Sequence, residues 1–260
     1  MFVAGSLTRR ATPQKAVAVL RELDADVVGI PEFGILDRMD THTKHEIEAL
    51  GYALYTTAYG DKRYPGYGSA LLSRMDETDV EHYSLGDEFR DALVATVTDK
   101  KGRKIRICSL YLDDRTDASR VNQISHFVTR LKKSNLPTIV MGDFNTMDER
   151  SMMARFVRLS ILLMMERAAR GYFLTILQRL RMMASGSSLR YLTEHTTLRD
   201  LDPKHQLTIS AKQAGYEWLP SVRLAKLDWI FASSEFSAQA YRVWRDVGSD
   251  HRPVRAELEY

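Results

Sequence analysis

The feature that most constrains this chain is the run Pro137-Thr138-Ile139-Val140-Met141-Gly142-Asp143-Phe144-Asn145-Thr146. A short β-branched stretch ends in a glycine, and a carboxylate and a carboxamide follow two residues apart. In a strand, residues i and i+2 point to the same side, so Asp143 and Asn145 are expected to aim together at one point just past a strand end. Open α/β sheets place their ligands there.

The surrounding pattern alternates helices and strands. Thr12-Pro13 opens a helix with a capping residue and then a proline at the first helical position, and Ala16, Val17, Val19, Leu20 and Leu23 form its apolar stripe. Val27-Val28-Gly29-Ile30 reads as a buried strand, followed at once by Pro31-Glu32-Phe33. A carboxylate at that edge is a candidate ligand, although taken alone it is weak evidence and a surface acid is about twice as common an explanation. A helix is expected over residues 42–50, ending at Gly51. In it His42, His45 and Glu46 read as solvated polar residues, because the glutamate is misplaced for a zinc-protease helix and no third ligand is near.

Strands follow over residues 52–57 and 69–73, and between them a loop carries Lys62, Arg63 and three tyrosines. Residues 92–98 and 105–112 form a hairpin about Lys100-Lys101-Gly102-Arg103, and its second strand ends on Tyr111 and Asp113-Asp114. A helix over residues 118–133 leads into the run that carries Asp143. Residues 224–232 contain a strand in which Asp228 sits between Leu227 and Trp229. A charge in such a run is costly unless it is paired, so Asp228 requires a partner. Residues 241–244 and 254–258 are the last strands, and Ser249-Asp250-His251 lies in the turn between them.

From residue 151 to 183, within a Met/Arg-rich segment of about 151–185, the composition changes. Six arginines stand against the single acid Glu166, and two helices broken near Gly171 are expected. Their apolar positions run most of the way round. Such helices can pack across a sheet with snorkelling arginines, or meet anionic lipid or a nucleic-acid backbone. The apolar run 161–165 falls well short of the about 20 residues that cross a bilayer, so no transmembrane segment is expected. With 37 basic and 34 acidic residues, the net charge of +3 permits an anionic partner without requiring one. The lone Cys108 excludes an internal disulfide, and with no apolar leader at the N-terminus it points to a reducing, cytoplasmic setting. No Gly/Ser/Pro-rich linker divides the 260 residues, which suggests one α/β domain over 1–260.

Glu32, Tyr111, Asp143 with Asn145, Asp228, and Asp250 with His251 all fall at or near expected strand ends. In this order, with Gly142-Asp143-Phe144-Asn145, Leu227-Asp228-Trp229-Ile230-Phe231 and Ser249-Asp250-His251, the chain resembles the endonuclease/exonuclease/phosphatase superfamily over roughly residues 12–260. That family includes magnesium-dependent abasic-site endonucleases, pancreatic-type deoxyribonucleases, neutral sphingomyelinases and inositol polyphosphate phosphatases. The resemblance implies a four-layer α/β/β/α sandwich of two mixed sheets with helices outside. It further implies that Glu32 is the principal Mg²⁺ or Mn²⁺ ligand and that Asp250 completes the metal site. Asp143 would orient and activate the attacking water, and Asn145 would donate to a phosphate oxygen. His251 would bind phosphate, with Asp228 as the buried partner that fixes its tautomer. Tyr111 stands where many members have histidine and the abasic-site enzymes have tyrosine, in contact with the scissile phosphate.

Carboxylate and carboxamide oxygens suit a hard divalent cation, and phosphoester hydrolysis needs charge neutralisation and an aligned nucleophile. A histidine held by an aspartate is biased toward the charged form that suits a phosphate. Two departures stand out. Pro31 replaces the glutamine usual before the glutamate, and no asparagine precedes Asn122, although members carry one on their first strand. The first strand is therefore expected to be absent, or the sequence begins downstream of it. Two readings follow: an active metal-dependent phosphoesterase, or a catalytically impaired relative that binds anionic ligands or a protein. Nucleic acid would engage the 59–68 loop, whereas a lipid or inositol phosphate substrate would favour the arginine-rich helices at a membrane surface.

Overall fold

A computed structural model describes residues 2–3, 13–31, 41–57, 69–86, 90–148, 184–209, 223, 225–245, 247, 249 and 251–260. In chain order the first half contains β1 (Phe2–Val3), α1 (Pro13–Leu23), β2 (Val27–Ile30), α2 (Thr41–Ala49), β3 (Ala53–Thr56), β4 (Ala70–Ser73), β5 (Asp76–Ser84) and β6 (Asp91–Thr98). The second half contains β7 (Lys104–Tyr111), α3 (Asp117–Leu131), β8 (Thr138–Asp143), α4 (Ser187–His195), β9 (Arg199–Asp200), β10 (Asp228–Ala232), β11 (Ser237–Val243) and β12 (Val254–Glu259). The strands form two mixed six-stranded sheets, in the orders β11-β12-β1-β2-β4-β3 and β5-β6-β7-β8-β10-β9.

Strand alternation sorts the apolar residues into three clusters. Val28, Ile30, Ala70 and Leu72 of the first sheet pack with Ala16, Val17, Leu20 and Leu23 of α1 and Ile47 of α2. Their neighbours Val27 and Leu71 join Val254 and Ala256 of the same sheet and Leu93, Ile107, Ile139, Met141 and Ile230 of the other. On the second sheet Val94, Cys108, Leu110, Val140, Trp229 and Phe231 pack under Ile124, Phe127 and Val128 of α3 and Leu189 and Leu192 of α4. Both sheets therefore bury both faces, which is why the runs in β2, β4, β8 and β10 read as continuously apolar.

Two glycines allow close approach. A Cβ on Gly29 would lie 2.9 Å from the Met141 sulfur of the other sheet. At Gly142, with φ 148°, it would lie 1.9 Å from the Leu110 carbonyl oxygen. The glycine before Asp143 thus lets β7 and β8 meet at the end of the strand. α3 starts as its sequence dictates: the Thr116 hydroxyl accepts the Ser119 N–H at 3.1 Å, and Asp117 stands in the first turn.

Several expectations change. The first strand is not absent: Phe2 and Val3 lie between β2, to which they run parallel, and β12, to which they run antiparallel. β5 and α4 were not foreseen, and β11 begins at Ser237 rather than residue 241. The 59–68 loop and the arginine-rich helices of 151–183 lie outside the described residues. Among the described residues no helix is long and apolar enough to cross a membrane. His42 and His45 are largely exposed beside Glu46 and Glu48, as solvated groups should be.

Candidate active site

β7 runs parallel to β8, β8 antiparallel to β10, and their register sets Tyr111 opposite Asp143 and Asp143 opposite Asp228. Directly opposed residues share a face, so three polar side chains form a row across three strands. By alternation that face is the one on which Ile107, Ile139, Met141 and Ile230 meet the other sheet. All three members of the row are buried.

The other sheet supplies the fourth group. His251 stands just before β12 and is bridged to Ile209, while the Arg252 N–H donates to the Thr208 carbonyl at 2.8 Å. Thr208 ties this segment to β10, because its hydroxyl also accepts from the N–H groups of Leu227, at 3.1 Å, and Asp228, at 3.3 Å. His251 Nδ1 consequently lies 2.8 Å from Asp228 Oδ2, and its Nε2 lies 3.9 Å from Asp143 Oδ2. An ionised carboxylate can only accept, so Nδ1 carries the proton and donates. This is the partner that the charge of Asp228 required. The other oxygen of Asp228, Oδ1, is buried and has no hydrogen-bond partner among the described residues.

Asn145 reaches the site by a route different from the one its spacing suggested. β8 ends at Asp143, and Asn145 adopts a left-handed backbone with φ 47°. The chain turns there because Asp143 Oδ1 accepts the Asn145 backbone N–H at 2.8 Å, a local bond that asparagine and aspartate favour. The Asn145 amide donates one hydrogen to the Leu112 carbonyl at 2.9 Å, which ties it to the residue after Tyr111. Among the described residues its second amide hydrogen has no further partner.

Two arginines that sequence reasoning passed over back the row. The Arg90 guanidinium lies 3.9 Å from the centroid of the Tyr111 ring and 3.5 Å from Asp114. Burial pulls its pKa down, but Tyr111, Asp114 and Asp113 outweigh that and hold it above the ordinary arginine value. Arg120, fully buried on α3, donates to the Asp113 carbonyl at 3.2 Å. Burial lowers its pKa, against the opposing pull of Asp117, Asp113 and Asp143. Beside it Gln123 accepts the Asp113 N–H at 2.9 Å. Either arginine could be found from sequence only by knowing which strand or helix ends above Tyr111 and Asp113.

Five of the seven expected site residues thus come together: Tyr111, Asp143, Asn145, Asp228 and His251. Glu32 and Asp250 lie outside the described residues, although each directly follows a described neighbour, Pro31 and Ser249. Ligand atoms of Asp143, Asp228 and His251 lie within 4.8 Å of one another, and the group can hold a metal ion.

The fold has close structural counterparts. A Bacteroides thetaiotaomicron mannosyl-6-phosphatase, Bt3783, superposes with a TM-score of 0.68 over 100% of both chains at 18% identity. An endonuclease/exonuclease/phosphatase from Bacteroides vulgatus gives 0.68 at 16% identity over 99% of this chain and 98% of that one. A humanized D. rerio TDP2 carrying 14 mutations gives 0.61 at 13% identity over 100% and 99%. No curated protein matches the sequence. The family described as Endonuclease/Exonuclease/phosphatase matches residues 3–251, which takes in every expected site residue. The chain therefore belongs to the endonuclease/exonuclease/phosphatase family and is one of its phosphoesterases.

Proposed function

We propose that the chain is a divalent-metal-dependent hydrolase that drives water onto the phosphorus of a phosphoester, on a four-layer sandwich formed by one domain over 1–260. The observation that carries this reading is the buried chain Asp228–His251–Asp143, with His251 Nδ1 2.8 Å from one carboxylate oxygen and Nε2 facing the other carboxylate at 3.9 Å. Asp228 fixes the tautomer, so the Nε2 edge of His251 is presented to the substrate. There an imidazolium neutralises a non-bridging phosphate oxygen as charge builds up on it. As a carboxylate Asp143 offers only acceptor oxygens, which suits it to align a water and take its proton. The Tyr111 hydroxyl and the second Asn145 amide hydrogen are the groups assigned to donate to phosphate oxygens, Tyr111 from the row beside Asp143 and Asn145 from the turn that follows it.

The donor set fits a hard cation. It is rich in carboxylate oxygen, and Asp228 Oδ1 is a buried anionic atom left unmatched among the described residues. Mg²⁺ or Mn²⁺ would be held beside Asp143 by Glu32 and Asp250, the ligands that the family resemblance assigns. When bound, the ion supplies Lewis-acid neutralisation of the phosphoryl group.

The substrate is a phosphodiester such as DNA or RNA in this reading. The printed activity of the similar Bacteroides phosphatase keeps a phosphomonoester in the test. A cytoplasmic setting is part of the proposal, as is contact with anionic membranes through residues 151–185. Turnover of bis-p-nitrophenyl phosphate and p-nitrophenyl phosphate should be measured with Mg²⁺, with Mn²⁺ and with EDTA, in the wild type and in Asp143→Ala. Metal-dependent turnover that falls at least about 100-fold in the variant is expected. Equal turnover in the two proteins refutes the mechanism. Phosphate binding without turnover in the wild type favours the impaired relative to which the missing first-strand asparagine points.

A further inference from the structure

Arg90 is an uncommon arginine. Only 5% of it is exposed, and the ring it covers, Tyr111, is 3% exposed. A buried guanidinium needs strong compensation, and here it comes from the aromatic face at 3.9 Å and the Asp114 carboxylate at 3.5 Å. Asp114 is itself on a braced segment: Arg120 and Gln123 of α3 grip both backbone groups of Asp113, and Asn145 grips the Leu112 carbonyl. At the other end, the Arg90 carbonyl accepts the Leu85 N–H at 3.2 Å, which fixes the backbone where β6 begins. Sheet register places the Tyr111 backbone beside Asp143 but does not set the plane of its ring. The Arg90 guanidinium lies over that ring and also hydrogen-bonds the Tyr111 side chain.

We propose that Arg90 is a positioning residue for Tyr111: its planar stack holds the ring so that the phenol hydroxyl points at the phosphate-binding position. This rests on the phosphoesterase reading for its catalytic consequence and on the geometry for the positioning itself. Lysine would keep the charge and lose the planar face, so it is the discriminating substitution. Arg90 acts through the hydroxyl and not directly on substrate, so its value should vanish when the hydroxyl is gone.

The test is a double-mutant cycle of Arg90→Lys and Tyr111→Phe, with kcat and KM read separately on bis-p-nitrophenyl phosphate. Arg90→Lys alone should lower kcat roughly tenfold to thirtyfold with KM nearly unchanged. In the Tyr111→Phe background, which keeps the ring under the guanidinium but removes the hydroxyl and its hydrogen bond with Arg90, the same substitution should lower kcat less than about twofold. An equal loss in both backgrounds overturns the proposal, because it would mean general packing or direct contact with phosphate. The second measurement does not depend on activity. In protein labelled with ¹³C-tyrosine, the ring signals of Tyr111 are identified by their loss in Tyr111→Phe and should be displaced in Arg90→Lys. Unmoved signals overturn the positioning role. A wild type with no turnover would count against the phosphoesterase reading alone and leave the ring signals to decide on Arg90.

Discussion

Asp228→Asn separates catalysis from stability in this fold. Asp228 is fully buried, and its Oδ2 accepts the His251 Nδ1 proton at 2.8 Å. With an effective dielectric of about 20, a full charge pair at that separation interacts by roughly 6 kcal/mol, an upper bound. Asparagine keeps the volume and can still accept one hydrogen bond, so about half of that is lost where an imidazolium forms. The expected penalty is about 3–4 kcal/mol, or roughly 10²–10³ in kcat. Folding should suffer far less, since the substitution also removes a buried charge whose second oxygen has no partner among the described residues. Steady-state turnover with Mg²⁺ and a urea titration on the same two proteins would measure both quantities. A variant that keeps kcat within tenfold of the wild type refutes the assignment of Asp228 as the residue that charges and orients His251.

Further outcomes follow from the backbone and the core. Gly142→Ala would press a Cβ against the Leu110 carbonyl oxygen at 1.9 Å and should cost more than about 3 kcal/mol in chemical denaturation. Gly102→Ala, whose Cβ would meet nothing within 4 Å at φ 77°, should cost only about 1 kcal/mol. Burial pushes the Cys108 thiol from its ordinary 9.0 up to about 12. The folded thiol keeps a proton that the unfolded one releases, so stability falls as pH rises across that window, by about 1.4 kcal/mol per unit. Cys108→Ala should flatten the alkaline slope by about one proton; an unchanged slope would mean that the thiol ionises alike in both states.

The middle of the site was legible because its chemistry is local. Gly142, Asp143 and Asn145 stand in one run, and Asp228 announced its need for a partner by sitting inside an apolar strand. Other parts were hidden for physical reasons. β1 is a pairing of two residues, too short for any periodic signal. β5 reads DETDVEHYS because it is an edge strand with little to bury, so its polar sequence resembles a loop. Arg90 gains its meaning only from Tyr111 on the adjacent strand. The even spacing of Asp143 and Asn145 gave the right convergence for the wrong reason, since a left-handed turn and not strand alternation brings them together.

The short β1 has a consequence for how the molecule comes apart. The first sheet is two three-stranded panels, β11-β12 with β1 and β2-β4-β3, and among the described residues the strand pairing across their seam is Phe2 with Val28 and Val3 with Gly29. His251 rides on the β12 panel but is moored to β10 through Thr208 and Ile209, independently of that seam. Fraying at Phe2 and Val3 would therefore open the strand seam while the imidazole stays berthed at Asp228, and Glu22 of α1 would still join the two panels through its ion pair with Arg245.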